Sequence, residues 1–195
     1  DHYRFEVNAN RWVHVGEPGY GVAIANLRTY GWDVTRSARA GGATYTTVRA
    51  SLLRGAQAPD PRADEGRHHF GFRLVPGASV LDAVHAGYAV NVPTRAVEAA
   101  PVDALVQAEG AVIEAVKLAD DRSGDVVVRL YEPLGSRSKA TVSTSFDLAD
   151  ARETDLLEEE FDGDVAASAV AGWEGGSVNL TLRPFQVVTL RMKAK

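Results

Sequence analysis

The run Tyr20-Gly21-Val22-Ala23-Ile24-Ala25-Asn26 constrains the fold more than any other part of this chain. Extended, it points Tyr20, Val22 and Ile24 one way and Gly21, Ala23 and Ala25 the other, so it has no polar face. A strand of this kind has to be covered on both sides and belongs near the centre of a packed sheet. The residues after it turn abruptly polar and aromatic, through Asn26-Leu27-Arg28 to the turn-like Thr29-Tyr30-Gly31-Trp32-Asp33. A rigid strand that ends in aromatics, an Asn and an Asp is how a scaffold presents a surface.

The neighbouring segments have the period of strands as well. Tyr3, Phe5 and Val7 alternate with Arg4, Glu6 and Asn8, and Trp12 and His14 alternate with Arg11, Val13 and Val15. Glu17-Pro18-Gly19 supplies a turn with Pro at its second position and Gly where φ must be positive. Tyr45 to Leu53 is rich in Thr and β-branched residues, as strands are. In 67–75 His68, Phe70, Phe72 and Leu74 share one apolar face, on which His68 reads as a core histidine. Ser79 with Asp82 forms a capping box, and Leu81, Val84 and Tyr88 follow at helical spacing, which predicts one short helix over 79–87.

Residues 102–118 have helical propensity, but the β context around them favours strands. Val126 to Leu130, Ala140 to Phe146, Val178 to Leu182 and Phe185 to Met192 are clear strand patterns. Many short strands with Gly and Pro between them predict an all-β, antiparallel β-sandwich, read here as one domain over 1–195. Asp150 to Asp164 carries eight acids, which read as a solvated face.

Composition narrows the function classes. With 195 residues, 45% of them hydrophobic, the chain can bury a core. A net charge of −5 argues against nucleic acid and against an anionic membrane as partners. No apolar run is long enough to cross a bilayer. The absence of cysteine excludes disulfides, thiol catalysis and thiolate metal sites, and suits a cytoplasmic location. Seventeen Arg against four Lys point to a GC-rich bacterial genome. The chain starts Asp1-His2-Tyr3, without Met, as a piece of a longer polypeptide would.

Reactive constellations are few. Adjacent on a strand, His68 and His69 face opposite sides and do not share a metal, and His14 and His85 lack partners at ligand spacing. Asp162-Gly163-Asp164 reads as an acidic turn rather than a calcium loop. Asn179-Leu180-Thr181 fits a glycosylation sequon but falls inside a strand. The aperiodic loop 54–66 and the turn 29–33 remain as functional candidates. Sugar sites combine aromatics that stack on pyranose faces with Asp, Asn and Arg that hold hydroxyls. Tyr30, Trp32, Asp33, Arg54, Asp60 and Asp64 supply that mixture, although a turn Asp commonly serves its own backbone.

Taken in order, several short motifs carry a resemblance. They are Arg4-Phe5-Glu6-Val7, Arg11-Trp12-Val13, Tyr20-Gly21-Val22-Ala23, Tyr30-Gly31-Trp32-Asp33-Val34 and Leu52-Leu53-Arg54. Pro59-Asp60-Pro61 with Ala63-Asp64 and Gly66 follows, then Val128-Arg129-Leu130-Tyr131-Glu132, Leu182-Arg183-Pro184-Phe185 and Thr189-Leu190-Arg191. This series resembles the C-terminal β-sandwich region of glycoside hydrolase family 38, the α-mannosidases. Two positions depart from the family's pattern, Leu27 after Asn26 and Gly55-Ala56 after Arg54.

The resemblance implies a galactose-mutarotase-like supersandwich that packs against a catalytic domain of the same polypeptide. It implies that the Asp nucleophile and a zinc ion reside in that other domain. No cofactor, metal ligand or catalytic residue is then expected in this chain, which alone should be inactive. Loops of this region close over the family's catalytic cleft or pack against the preceding domain, so a mannoside is the expected small-molecule partner. An independent carbohydrate-binding module is the alternative reading. A homodimer through an exposed apolar patch is a further expectation.

Overall fold

Pro18 and Gly19 fold the chain back on itself, Gly19 with a φ of +87°, and Glu17 pairs with Tyr20 across them. The computed structural model describes residues 5–160 and 168–195, in which strands dominate and one helix stands between the sixth and seventh of them. Tyr3 and Asp162-Gly163-Asp164 lie outside the described residues. Contacts gather the chain into two units, Asp1–Ala96 and Val97–Lys195.

In the first unit β2 (Trp12–Glu17), β3 (Tyr20–Leu27) and β6 (Gly71–Pro76) form one antiparallel sheet with β3 at its centre. The other sheet sets β4 (Gly31–Ala38) between β1 (Val7–Asn8) and β5 (Thr44–Ser51). The helix α1 (Val80–Asn91) lies across β3 and β2, and Ala23, Ala78 and Ala83 form a core of small residues with Trp12 and Val75 against it. The expected capping box is present, with Ser79 and Asp82 bonding each other's backbone amides. The helix runs a turn beyond 87. There Asn91 donates to the carbonyls of Gly87 (2.8 Å) and Asn26 (2.9 Å), which ties its end to β3. It stops at Val92, where the following Pro93 disfavours helical backbone.

The expectation that β3 is covered on both faces holds fully for one. Ala23 and Ala25 are sealed beneath the helix, whereas Val22 and Ile24 on the other face are half-buried. The two sheets meet where Trp32 of β4 stands edge-on to Phe72 of β6, 6.1 Å between ring centroids. They gape between Val15, Tyr20 and Val22 on one side and Tyr45, Thr46 and Val48 on the other, around an opening of about 410 Å³.

Three sequence expectations are corrected in this unit. The first strand is short: Val7 and Asn8 pair with Trp32 and Gly31, but Phe5 is 85% exposed. His68 is no core residue. It precedes β6, is exposed, and bonds the Asp64 carbonyl through Nε2 at 2.9 Å, because its segment follows the loop and not the sheet. For the same reason Phe70 lies outside β6, while Phe72 and Leu74 in it stay 46% and 63% exposed.

The second unit is a sandwich of two four-stranded antiparallel sheets. One has the order β12 (Val170–Glu174), β13 (Ser177–Leu182), β10 (Ser138–Thr144), β7 (Val106–Glu109). The other runs β11 (Leu148–Thr154), β14 (Val187–Ala194), β9 (Val126–Tyr131), β8 (Val112–Leu118). Within residues 102–118, β7 and β8 are strands, as their context predicts, while 102–105 precede them without strand pairing. Val128, Leu130, Val142, Leu148, Val178 and Leu190 are all fully buried in a common core.

Phe185 falls outside the last strand and is 70% exposed. Its backbone N–H donates to Glu132, whose buried carboxylate also takes the N–H groups of Leu134, Gly135 and Ser136 at 2.7–3.2 Å. Burial pushes this carboxyl's pKa up, but the four amides outweigh it and hold the group below its ordinary value. The acidic stretch is less solvated than its composition implies. Glu158 is buried against Lys117 and the Asp120 amide, and Glu153 accepts from Ser168 Oγ and Ala169 N.

Candidate functional site

The turn after β3 and the loop after β5 come together on the first unit. Asn26, 1% exposed, donates from Nδ2 to the Thr29 carbonyl at 2.5 Å, and Arg28 takes a φ of +67°, which swings Tyr30 outward. In the loop, Asp64 Oδ2 accepts from the backbone N–H groups of Gly55 (3.0 Å) and Arg54 (3.3 Å). Asp60 Oδ1 accepts from Arg62 N at 2.9 Å, and Arg62 pairs with Glu65 at 2.8 Å. An aperiodic segment therefore holds a defined course through its own acids.

A cleft of about 500 Å³ opens between these segments, lined by Glu6, Arg28, Tyr30, Ser51, Arg54 and Asp64 among others. Of the six residues expected at a site, the structure gathers Tyr30, Arg54 and Asp64 in it. Tyr30 is 57% exposed and lines the cleft, where an aromatic can serve as a stacking platform. The other three lie elsewhere. Trp32 is 2% exposed between the sheets, Asp33 pairs with Arg49 across β4 and β5 (Nε to Oδ2, 2.7 Å), and Asp60 serves its own turn.

Sequence reasoning missed Glu6. Its Oε2 accepts from Arg54 Nη2 at 2.8 Å and its Oε1 from the Ser51 hydroxyl. The Ser51 hydrogen bond and the Arg54 guanidinium beside it hold the Glu6 carboxyl below its ordinary pKa. The sequence shows Glu6 only as the polar half of an alternating strand, and no signal there distinguishes it from a solvated residue. Among the described residues no group of three or more His, Cys, Asp or Glu is placed to hold a metal ion. No helix among them is long and apolar enough to cross a membrane.

The cleft holds two arginines and two acids, so its formal charges balance. Such a lining suits a neutral, hydroxyl-rich ligand better than an anion, which would favour an uncompensated positive charge.

Comparison with known proteins covers nearly the whole chain. Residues 1–62 match the glycosyl hydrolases family 38 C-terminal domain, and residues 110–190 match that family's C-terminal beta sandwich domain. Human alpha-mannosidase 2C1 is 35% identical over 202 residues, which take in 97% of this chain and 18% of that protein. An alpha-mannosidase of Saccharomyces cerevisiae is 25% identical over 212 residues, again 97% of this chain and 19% of its own length. The chain thus spans about a fifth of the length of these curated relatives. A solved glycosyl hydrolase family 38 structure from Enterococcus faecalis superposes with a TM-score of 0.64 over 96% of this chain and 22% of its own, at 20% identity, a likeness of fold. On these matches, the chain belongs to glycosyl hydrolase family 38, as its C-terminal β-sandwich region.

Proposed function

We propose that this chain is the non-catalytic C-terminal domain of a retaining α-mannosidase and packs against the catalytic domain of the same polypeptide. Its cleft then borders the space in which α-mannosides are hydrolysed. Tyr30, Arg54 and Asp64 face that space, while Trp32, Asp33 and Asp60 brace the strands and loop behind them. The two carboxyls of the retaining reaction, and the zinc, belong to the catalytic domain. The cytoplasm is the compartment this reading assigns to the enzyme.

The observation that carries the proposal is the charge-balanced cleft, with an exposed tyrosine beside an arginine held on both sides by acids. The family match in chain order supports the parent activity. An aryl α-mannoside assay tests it: the isolated chain should give no turnover, and the full-length polypeptide should give zinc-dependent turnover. Turnover by the isolated chain would overturn the non-catalytic role.

A free-standing carbohydrate-binding module is the second reading, favoured by a cleft that lies wholly within the first unit. Calorimetric titration of the isolated chain with a mannobiose separates the two. Saturable heat supports independent binding, and a flat titration supports a domain that works only beside its catalytic neighbour.

A further inference from the structure

An arginine on a long loop ordinarily samples many rotamers, and fixing it costs entropy when a ligand binds. Arg54 is 80% exposed in its side chain, yet it is held at both ends. Asp64 accepts its backbone N–H, and Glu6 accepts Nη2 of its guanidinium at 2.8 Å. Glu6 is itself fixed. Its side chain is 29% exposed, the Ser51 hydroxyl donates to its other oxygen, and β4 passes so close that a Cβ on Gly31 would overlap Oε1. Gly31 is thus the vacancy into which the carboxylate fits. Glu6 takes Nη2 of the guanidinium, and the remaining N–H groups of this exposed, cleft-lining side chain are left as donors for hydroxyls.

We infer that Glu6 is a positioning residue. Seated against Gly31 and Ser51, it sets the Arg54 guanidinium to receive a vicinal diol of the sugar. This rests on the reading above, that Arg54 faces the mannoside. Although Glu6 lines the cleft, it acts on the ligand through Arg54.

Kinetics of the full-length polypeptide on an aryl α-mannoside test it, with Glu6→Gln, Ser51→Ala, Arg54→Gln and the Glu6→Gln/Arg54→Gln pair. Glu6→Gln should raise KM about tenfold and leave kcat within about twofold, as loss of uniform binding does. Ser51→Ala, the milder change, should raise KM in the same direction by a smaller factor. The double variant should be no worse than Arg54→Gln alone, since the two act as one unit. A raised KM in Arg54→Gln with an unchanged KM in Glu6→Gln would overturn the inference and leave the reading of Arg54 intact. Additive losses in the pair would overturn it as well. No effect of Arg54→Gln would remove that reading, and the inference with it.

Discussion

The two units solve the same problem, burying a β-sheet's apolar face, to different degrees. The second closes two four-stranded sheets over large aliphatic residues such as Leu130, Leu148 and Leu190, each fully buried. The first has three-stranded sheets, and apart from Trp32 between them it packs tightly through alanines beneath a helix. Val7, Val34, Phe72 and Leu74 stay between 42% and 63% exposed. A fully buried leucine gives up most of its contact with water, whereas a half-exposed one contributes a fraction of that. The unit with the looser core also carries the cleft, consistent with stability and ligand access competing for the same side chains.

That contrast can be broken by one pair of identical substitutions. Leu190→Ala should cost about 2–5 kcal/mol, as fully buried leucines do, whereas Leu74→Ala, 63% exposed, should cost under about 1 kcal/mol. Urea unfolding of both variants gives the comparison, and equal costs would end it.

Next in size is Glu132→Gln, which should cost about 2–3 kcal/mol by leaving amide donors facing a group that accepts less well. The effect depends on pH. The folded-state pKa lies below the ordinary 4.5, so the carboxylate's contribution is complete above that value and is lost as pH falls through the depressed folded pKa. Urea midpoints should be nearly flat between neutral pH and about 5, then fall more steeply in the parent than in Glu132→Gln. Equal acid slopes would assign the acid sensitivity elsewhere.

The smallest effect sharpens the view of the helix. Ser79→Ala should cost about 1 kcal/mol, since the helix keeps its alanine face but loses its cap. Thermal melting monitored by circular dichroism resolves a shift of that size.

Features written in local chemistry were legible in the sequence. The Pro18-Gly19 turn, the Ser79–Asp82 cap and the central place of β3 each follow from neighbours within a few residues. The core histidine failed because alternation in 67–75 gives a period but not where pairing begins, and the sheet starts at Gly71. The site was half legible for the same reason. Tyr30, Arg54 and Asp64 stand in turns whose chemistry is local. Trp32 is drawn inward by Phe72, and Glu6 reaches Arg54 across 48 positions of sequence, a separation no periodicity encodes.

The Glu132 corner has an evolutionary consequence. Among the described residues, every donor to that carboxylate is main chain, so the side chains at 134 and 136 are free to drift without disturbing it, whereas Phe185 is also constrained by its φ of +56°. Proline is the exception, since it would delete the required N–H. A lineage could therefore recolour this corner many times over while its hinge pin, a single glutamate, stays in place.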